Sequence, residues 1–174
     1  MEGKCVLSFA NGNKYDGDFA NNKREGKGVL VFANGDKYEG NWVNDKREGK
    51  GVLTLANGNK YEGDFANDKR EGKGVLTLAN GTIAEGDFAN GLPHGMVSLE
   101  YKVNGQQSDA IGGCSYNAND MIEGFFQGGK RHGKCTYTFF TGEKFECTFV
   151  EGRCPEFDTR QADVRARAKA DAEV

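Results

Sequence analysis

The chain has 174 residues, 28% of them charged, with a net charge of −3 at pH 7 and a pI of about 5.5. That length fits one domain or one short repeat array, and the acidic balance argues against a basic face for nucleic acid and weighs against an anionic membrane. No apolar run is long enough to span a bilayer and no secretory leader follows Met1, so the expectation is a soluble intracellular chain.

The first residues already share the phase of the later ones. Met1-Glu2-Gly3-Lys4-Cys5-Val6-Leu7 aligns with Arg24-Glu25-Gly26-Lys27-Gly28-Val29-Leu30, so either the sequence starts on a repeat boundary or it continues a longer protein. Residues 24–46 read REGKGVLVFANGDKYEGNWVNDK and residues 47–69 read REGKGVLTLANGNKYEGDFANDK. Self-similarity at a fixed period of this size is the signature of a stacked repeat array.

One unit reads as a hairpin. Gly28-Val29-Leu30-Val31-Phe32 is a β-rich run, Ala33-Asn34-Gly35 carries turn chemistry, and Lys37 to Trp42 alternates polar and apolar residues. Side chains alternate faces with period two, and this parity decides the turn. A two-residue loop would put the two apolar sets on opposite faces. A three-residue loop Ala33-Asn34-Gly35, with Gly35 left-handed, puts Leu30 opposite Tyr38 and Gly28 opposite Gly40 on one apolar face. Val29, Val31, Lys37, Glu39 and Asn41 then form a wet face. Gly17, Gly40 and Gly63 each fall between two aromatics, which predicts a close visitor, an aromatic ring from the next repeat.

The later copies degrade. Ala84 stands where Tyr61 stands one repeat earlier, followed by Gly86 and Phe88; then come Ile122-Glu123-Gly124-Phe125-Phe126 and Phe145-Glu146-Cys147-Thr148-Phe149. Between Ala84 and Ile122 lie 15 residues more than one period, read as a degenerate hairpin over about residues 97–112 with its turn near Asn104-Gly105. Residues 1–154 therefore form an array of six or seven hairpins, irregular at 97–121. Residues 155–174 form an alanine-rich tail that opens after Pro155 and predicts a short helix, either capping the array or solvated.

No catalytic signature is legible: there is no phosphate loop and no nucleophile elbow. His94 and His132 occupy the linker place held elsewhere by Glu25, Glu48 and Glu71. Five cysteines at irregular spacing do not form a disulfide framework. Cys135 and Cys147 take glycine places on one hairpin and read as small buried thiols, and four zinc ligands cannot be assembled. The chain is expected to be no enzyme, with no metal and no cofactor.

The units Tyr15-Asp16-Gly17-Asp18-Phe19, Tyr38-Glu39-Gly40-Asn41-Trp42 and Tyr61-Glu62-Gly63-Asp64-Phe65, each with its short linker, glycine pair and Asn-Gly turn, resemble the MORN (membrane occupation and recognition nexus) family over about residues 3–153. The resemblance implies an all-β single-layer solenoid of antiparallel hairpins with a short C-terminal helix. It also implies a scaffold or adaptor in a cytoskeletal, ciliary or flagellar assembly. The expected site is a groove along Tyr15, Phe19, Tyr38, Trp42, Tyr61, Phe65 and Phe88 that takes a helix or extended peptide of a partner protein. Two other functions remain open. The periodic pairs Lys46-Arg47 and Lys69-Arg70 would meet anionic phospholipid or an acidic partner, or the array would serve a larger enzyme as an accessory. End-to-end homodimerisation is a further expectation, because stacked repeats need caps.

Overall fold

A computed structural model describes residues 2–102, 105–107 and 114–172. Along the chain run β1 (Gly3–Ser8), β2 (Lys14–Ala20), β3 (Lys23–Val31), β4 (Lys37–Val43), β5 (Lys46–Thr54), β6 (Lys60–Ala66), β7 (Lys69–Thr77), β8 (Ile83–Ala89) and β9 (Leu92–Glu100). They are followed by β10 (Gly105–Gln107), β11 (Cys114–Tyr116), β12 (Met121–Gln127), β13 (Lys130–Thr138), β14 (Lys144–Phe149) and the helix α1 (Pro155–Ala172). Strands β1 to β9 and β12 to β14 are hydrogen-bonded neighbours in that order in one antiparallel sheet, and β10 pairs with β11 apart from it. The fold is thus the all-β single-layer hairpin array that the repeat predicts. Its strands divide into two compact units, one built from β1–β7 and the end of β8, the other from the start of β8, β9–β14 and α1.

In the first unit the parity argument holds residue by residue. Leu30 pairs with Tyr38 and Gly28 with Gly40. The loop between them closes with Phe32 N–H donating to Asp36 O at 2.8 Å and Gly35 N–H to Phe32 O at 3.0 Å, leaving Ala33-Asn34-Gly35 as a three-residue turn with Gly35 at φ 91°.

The links between hairpins are tighter than expected. The Lys-Arg pairs lie within the strands: Lys23 and Arg24 open β3 and pair with Ala20 and Phe19 of β2, and Lys46-Arg47 and Lys69-Arg70 do the same in β5 and β7. What connects one hairpin to the next is a doublet with both φ positive, Asn44-Asp45 at 49° and 70° and Asn67-Asp68 at 50° and 67°. These are type I′ turns, whose twist suits antiparallel strands and which asparagine and aspartate tolerate. Beyond each doublet the register shifts. Gly40 faces Gly51 while Trp42 faces Arg47, so β5 carries the bulged residues, among them left-handed Gly49.

The second unit places the extra residues differently from the sequence reading. β9 runs on to Glu100 and pairs directly with β12, Leu99 with Ile122 and Val97 with Gly124. Residues 97–100 therefore belong to a regular strand rather than to an added hairpin. A regular turn, such as residues 32–36 between β3 and β4, has 5 residues, whereas residues 101–120 between β9 and β12 number 20; the difference is the 15 extra residues. They lengthen one hairpin turn, and β10 with β11 lies inside that excursion. Gly105 begins β10, while Asn104 of the expected turn lies outside the described residues. The helix begins at Pro155, earlier than the alanine-rich run, because proline suits the first helical position. It is packed, not solvated: Phe157 lies 4.6 Å from the Tyr137 ring and 5.6 Å from Phe149, and Val164 is buried.

Candidate functional site

The predicted groove residues form the interior of the first unit. Tyr15, Phe19, Tyr38, Trp42, Tyr61, Phe65 and Phe88 are all at most 7% exposed. Their rings meet edge to face in one zigzag: Tyr15 to Trp42 at 5.6 Å, then Tyr38 to Trp42, Tyr38 to Phe65 and Tyr61 to Phe88 each at 5.1 Å. The ring expected over the glycines also has a different source. It is not an aromatic of the next repeat but the tyrosine of the same repeat, folded along its own strand. A Cβ built on Gly40 would lie 2.5 Å from the Tyr38 hydroxyl and one on Gly17 2.6 Å from that of Tyr15. Each ring also covers the neighbouring strand's glycine, Gly51 at 2.5 Å from the Tyr38 hydroxyl and Gly28 at 2.4 Å from Tyr15 Cζ. Each hydroxyl then turns back to the main chain: Tyr38 O–H donates to Asn41 O at 3.0 Å and Tyr61 O–H to Asp64 O at 3.1 Å. Burial pushes the hydroxyls of Tyr15, Tyr38 and Tyr61 up to about 12. The rings are thus the core of the first unit.

The basic ladder is equally committed. The Arg47 guanidinium lies 5.6 Å from the Tyr38 ring centre and 5.5 Å from that of Phe65, and its Nε donates to Asp68 Oδ1 at 3.1 Å. Arg70 covers Tyr61 and Phe88 in the same way, and Arg24 lies 4.1 Å over Trp42. Partial burial pushes the Asp45 carboxyl up, but the Arg24 backbone N–H and guanidinium outweigh it and hold the group below the usual carboxylate value. Lys46 Nζ donates to Asn67 Oδ1 at 2.9 Å and Lys69 Nζ to Asn90 Oδ1 at 3.0 Å. The side chains of Lys46, Arg47 and Lys69 therefore tie each hairpin to the next through residues 21 positions further on, whereas at Gly91 the Arg70 carbonyl makes that link, accepting from Gly91 N–H at 3.0 Å.

Two further rungs escaped the sequence reading. Glu25 Oε2 accepts from Asn44 N–H at 2.9 Å and Glu48 Oε2 from Asn67 N–H at 2.9 Å. At the opposite end of the strands Asn13 Oδ1 accepts from Ala33 N–H, Asp36 Oδ1 from Ala56 N–H and Asn59 Oδ1 from Ala79 N–H, at 2.8 to 3.0 Å. The signal was present in the recurrence of these polar residues at the repeat period, Glu25 and Glu48 on one side and Asn13, Asp36 and Asn59 on the other. In the second unit Asp120 holds the same rung past the excursion, accepting from Phe140 N–H at 2.7 Å, Asn117 N–H at 2.7 Å and the Tyr137 hydroxyl at 2.6 Å while fully buried.

Among the described residues no group of three or more His, Cys, Asp or Glu could hold a metal ion. His94 and His132 sit in strands β9 and β13. Cys135 pairs with Cys147 across β13 and β14. Both are buried, and a Cβ on Gly124 would lie 2.4 Å from Cys135 Sγ, so the sulfur fills space a glycine leaves elsewhere. Burial pushes the Cys135 thiol up and the Cys147 thiol up to about 12, away from thiolate chemistry.

What remains open is the polar face opposite the rings. In the first unit it carries a trough of about 610 Å³ whose floor is the paired glycine backbone, walled by Asp16, Lys27, Val29, Glu39, Lys50 and Val52. With rings filling the other side, the glycine row leaves this side as bare peptide between two rows of side chains. No described helix is long and apolar enough to cross a membrane.

A comparison with curated proteins gave no match. Among solved structures, the chain is similar to the SAS-4 (dCPAP) TCP domain of Drosophila melanogaster in complex with a proline-rich motif of Ana2 (dSTIL). That likeness has 13% identity and a TM-score of 0.35, covering 84% of this chain and 90% of that one. It is similar also to the TCP10 domain of Danio rerio CPAP in complex with a STIL peptide, at 16% identity and a TM-score of 0.27, covering 82% and 68%. A streptogramin B lyase matches at 15% identity and a TM-score of 0.21, covering 83% and 54%. At these values the likenesses carry no functional argument. The MORN repeat pattern, in contrast, matches residues 1–14, 15–37, 38–60, 61–83, 85–96 and 123–144. Those segments cover most of the array and include each tyrosine–glycine–aromatic unit that builds the ring ladder, and the chain belongs to the MORN repeat family.

Proposed function

We propose that the chain is a non-enzymatic scaffold that binds a segment of a partner protein on the polar face of its sheet. One observation carries this reading: the rings are buried and the arginines lie over them, while the opposite face keeps a trough with a peptide-backbone floor and walls of mixed charge. A trough whose Val29 and Val52 are half-buried suits an extended segment that sets small apolar side chains between charged ones. The setting proposed for it, from the family resemblance, is a cytoskeletal or ciliary assembly. End-to-end pairing of two arrays belongs to the same proposal.

The test is isolation of the tagged chain from its own cells after cross-linking, beside the variant Val29→Lys/Val52→Lys. The new lysines would face Asp16 and Glu39, or Glu39 and Glu62, across the strands, so the variant is expected to fold. A defined protein cross-linked to the wild type and lost in the variant supports the scaffold. Recovery of the chain with anionic phospholipid and no protein would replace this reading by the lipid one.

A further inference from the structure

The regular hairpins repeat one cross-strand pair on the polar face. Lys50 faces Asp64, Nζ to Oδ1 2.8 Å, and Lys73 reaches Asp87 at 2.8 Å. In the second unit the same place on the hairpin of β9 and β12 is held by Met96 facing Phe125. An exposed ion pair has become an apolar pair, with Met96 60% and Phe125 41% exposed. Leu92, four residues before Met96, is exposed as well, and His94 sets its ring 6.1 Å from that of Phe125. Neither Met96 nor Phe125 serves the interior, whose positions on these strands are filled by Val97, Leu99, Ile122 and Phe126. An apolar pair so placed costs solvation in the free chain, and a partner that covered it would recover that cost.

The surroundings say what it takes. Met96 forms one wall of a trough of about 620 Å³ that continues over Glu123, Lys134, Thr136, Glu146 and Thr148. Its charged walls sum to −1, two glutamates against one lysine, whereas the first unit's trough, with Lys4, Lys27 and Lys50 against Asp16 and Glu39, sums to +1. Glu123 lies two residues along β12 from Phe125, about 7 Å at the rise of a strand.

We propose that this patch is the docking address for a partner segment bearing one large apolar side chain with a basic residue one or two positions away. The apolar side chain sits against Met96 and Phe125, and the basic one meets Glu123 and Glu146. The proposal rests on the scaffold reading and adds to it a fixed register, since identical repeats alone offer every segment several equivalent seats.

The experiment selects a displayed library of random peptides on the full chain, then measures the selected peptides on Met96→Lys/Phe125→Asp, which restores the ion pair of the regular hairpins. Phe125→Thr is a second variant, and thermal unfolding checks the fold of both. The expected result is enrichment of peptides pairing a large apolar residue with Lys or Arg, with affinity falling about tenfold or more on either variant. Binding should weaken with salt, and Glu123→Lys/Glu146→Lys should turn the selected flank acidic. Peptides that are lost on Val29→Lys/Val52→Lys but indifferent to Met96 and Phe125 would overturn this inference and leave the scaffold reading standing. An empty selection would overturn both. Concentration-dependent self-association abolished by Met96→Lys/Phe125→Asp would give the patch to a second copy and overturn the partner proposed here.

Discussion

Gly51→Ala tests the ring-over-glycine packing. Gly51 has an ordinary strand conformation, so alanine there carries no backbone strain, and by itself the change would stabilise the fold by about 0.4–1 kcal/mol through the unfolded chain. Against that stands the Tyr38 ring. The new methyl would lie 2.5 Å from its hydroxyl and 2.7 Å from both Cε2 and Cζ. The ring cannot swing aside, because Trp42 and Phe65 hold it at 5.1 Å on either side and it is fully buried. Overpacking of this kind costs about 1–3 kcal/mol, and displacing the Tyr38 hydroxyl from Asn41 O adds about 1 kcal/mol. The net expectation is a loss of about 1–3 kcal/mol, read as a shift in the urea midpoint at unchanged slope. Tyr38→Leu in the Gly51→Ala background should recover part of the loss, so the double-mutant cycle should show a coupling of about 1 kcal/mol. A Gly51→Ala protein as stable as the wild type, or additive single changes, would refute the packing argument.

Asp120→Ala removes one acceptor from three donors in a buried place and should destabilise the chain by about 3 kcal/mol in urea unfolding. A cycle of Arg47→Met with Asp68→Asn should give a coupling of about 0.5–1 kcal/mol that shrinks in high salt, since the aspartate is half-exposed. Stability should fall as pH rises above 10: the unfolded tyrosines ionise near 10 while Tyr15, Tyr38 and Tyr61 stay protonated to about 12, so the unfolded state gains the advantage between those values. Denaturant midpoints at pH 8, 10 and 11 read this, and Tyr38→Phe should flatten the slope. Iodoacetamide at pH 8 should leave Cys135 and Cys147 unmodified in the folded chain and label them after unfolding, by mass spectrometry.

The hairpin was legible because two simple rules converge on it. Period-two alternation fixed which face Leu30 and Tyr38 share, and Gly35 fixed the turn that keeps them there. The links were not, although Asn44-Asp45 and Asn67-Asp68 are good type I′ doublets; the Lys-Arg pairs beside them look like solvated linker charge. That arginine lies down over rings depends on the bulge at the preceding-strand contact, which no single-strand pattern contains. The burial of the rings was hidden for a related reason. A row of aromatics on a single-layer sheet looks uncovered until each tyrosine is folded along its own strand over the glycine two positions on. The excursion at 101–120 was counted correctly, but its length alone does not say whether it enters between hairpins or within a turn. Phe157 and Val164, far apart in a polar helix, gave little sign that the helix packs.

The central claim is that a partner meets the trough and not the rings. Hydroxyl-radical footprinting of the native assembly beside the isolated chain tests it at four half-buried side chains: Val29 and Val52 on the polar face, Phe32 and Leu53 on the ring side. Val29 and Val52 should lose reactivity in the assembly while Phe32 and Leu53 keep theirs. Protection of Phe32 and Leu53 with Val29 and Val52 unchanged would contradict it and return the binding surface to the aromatic face.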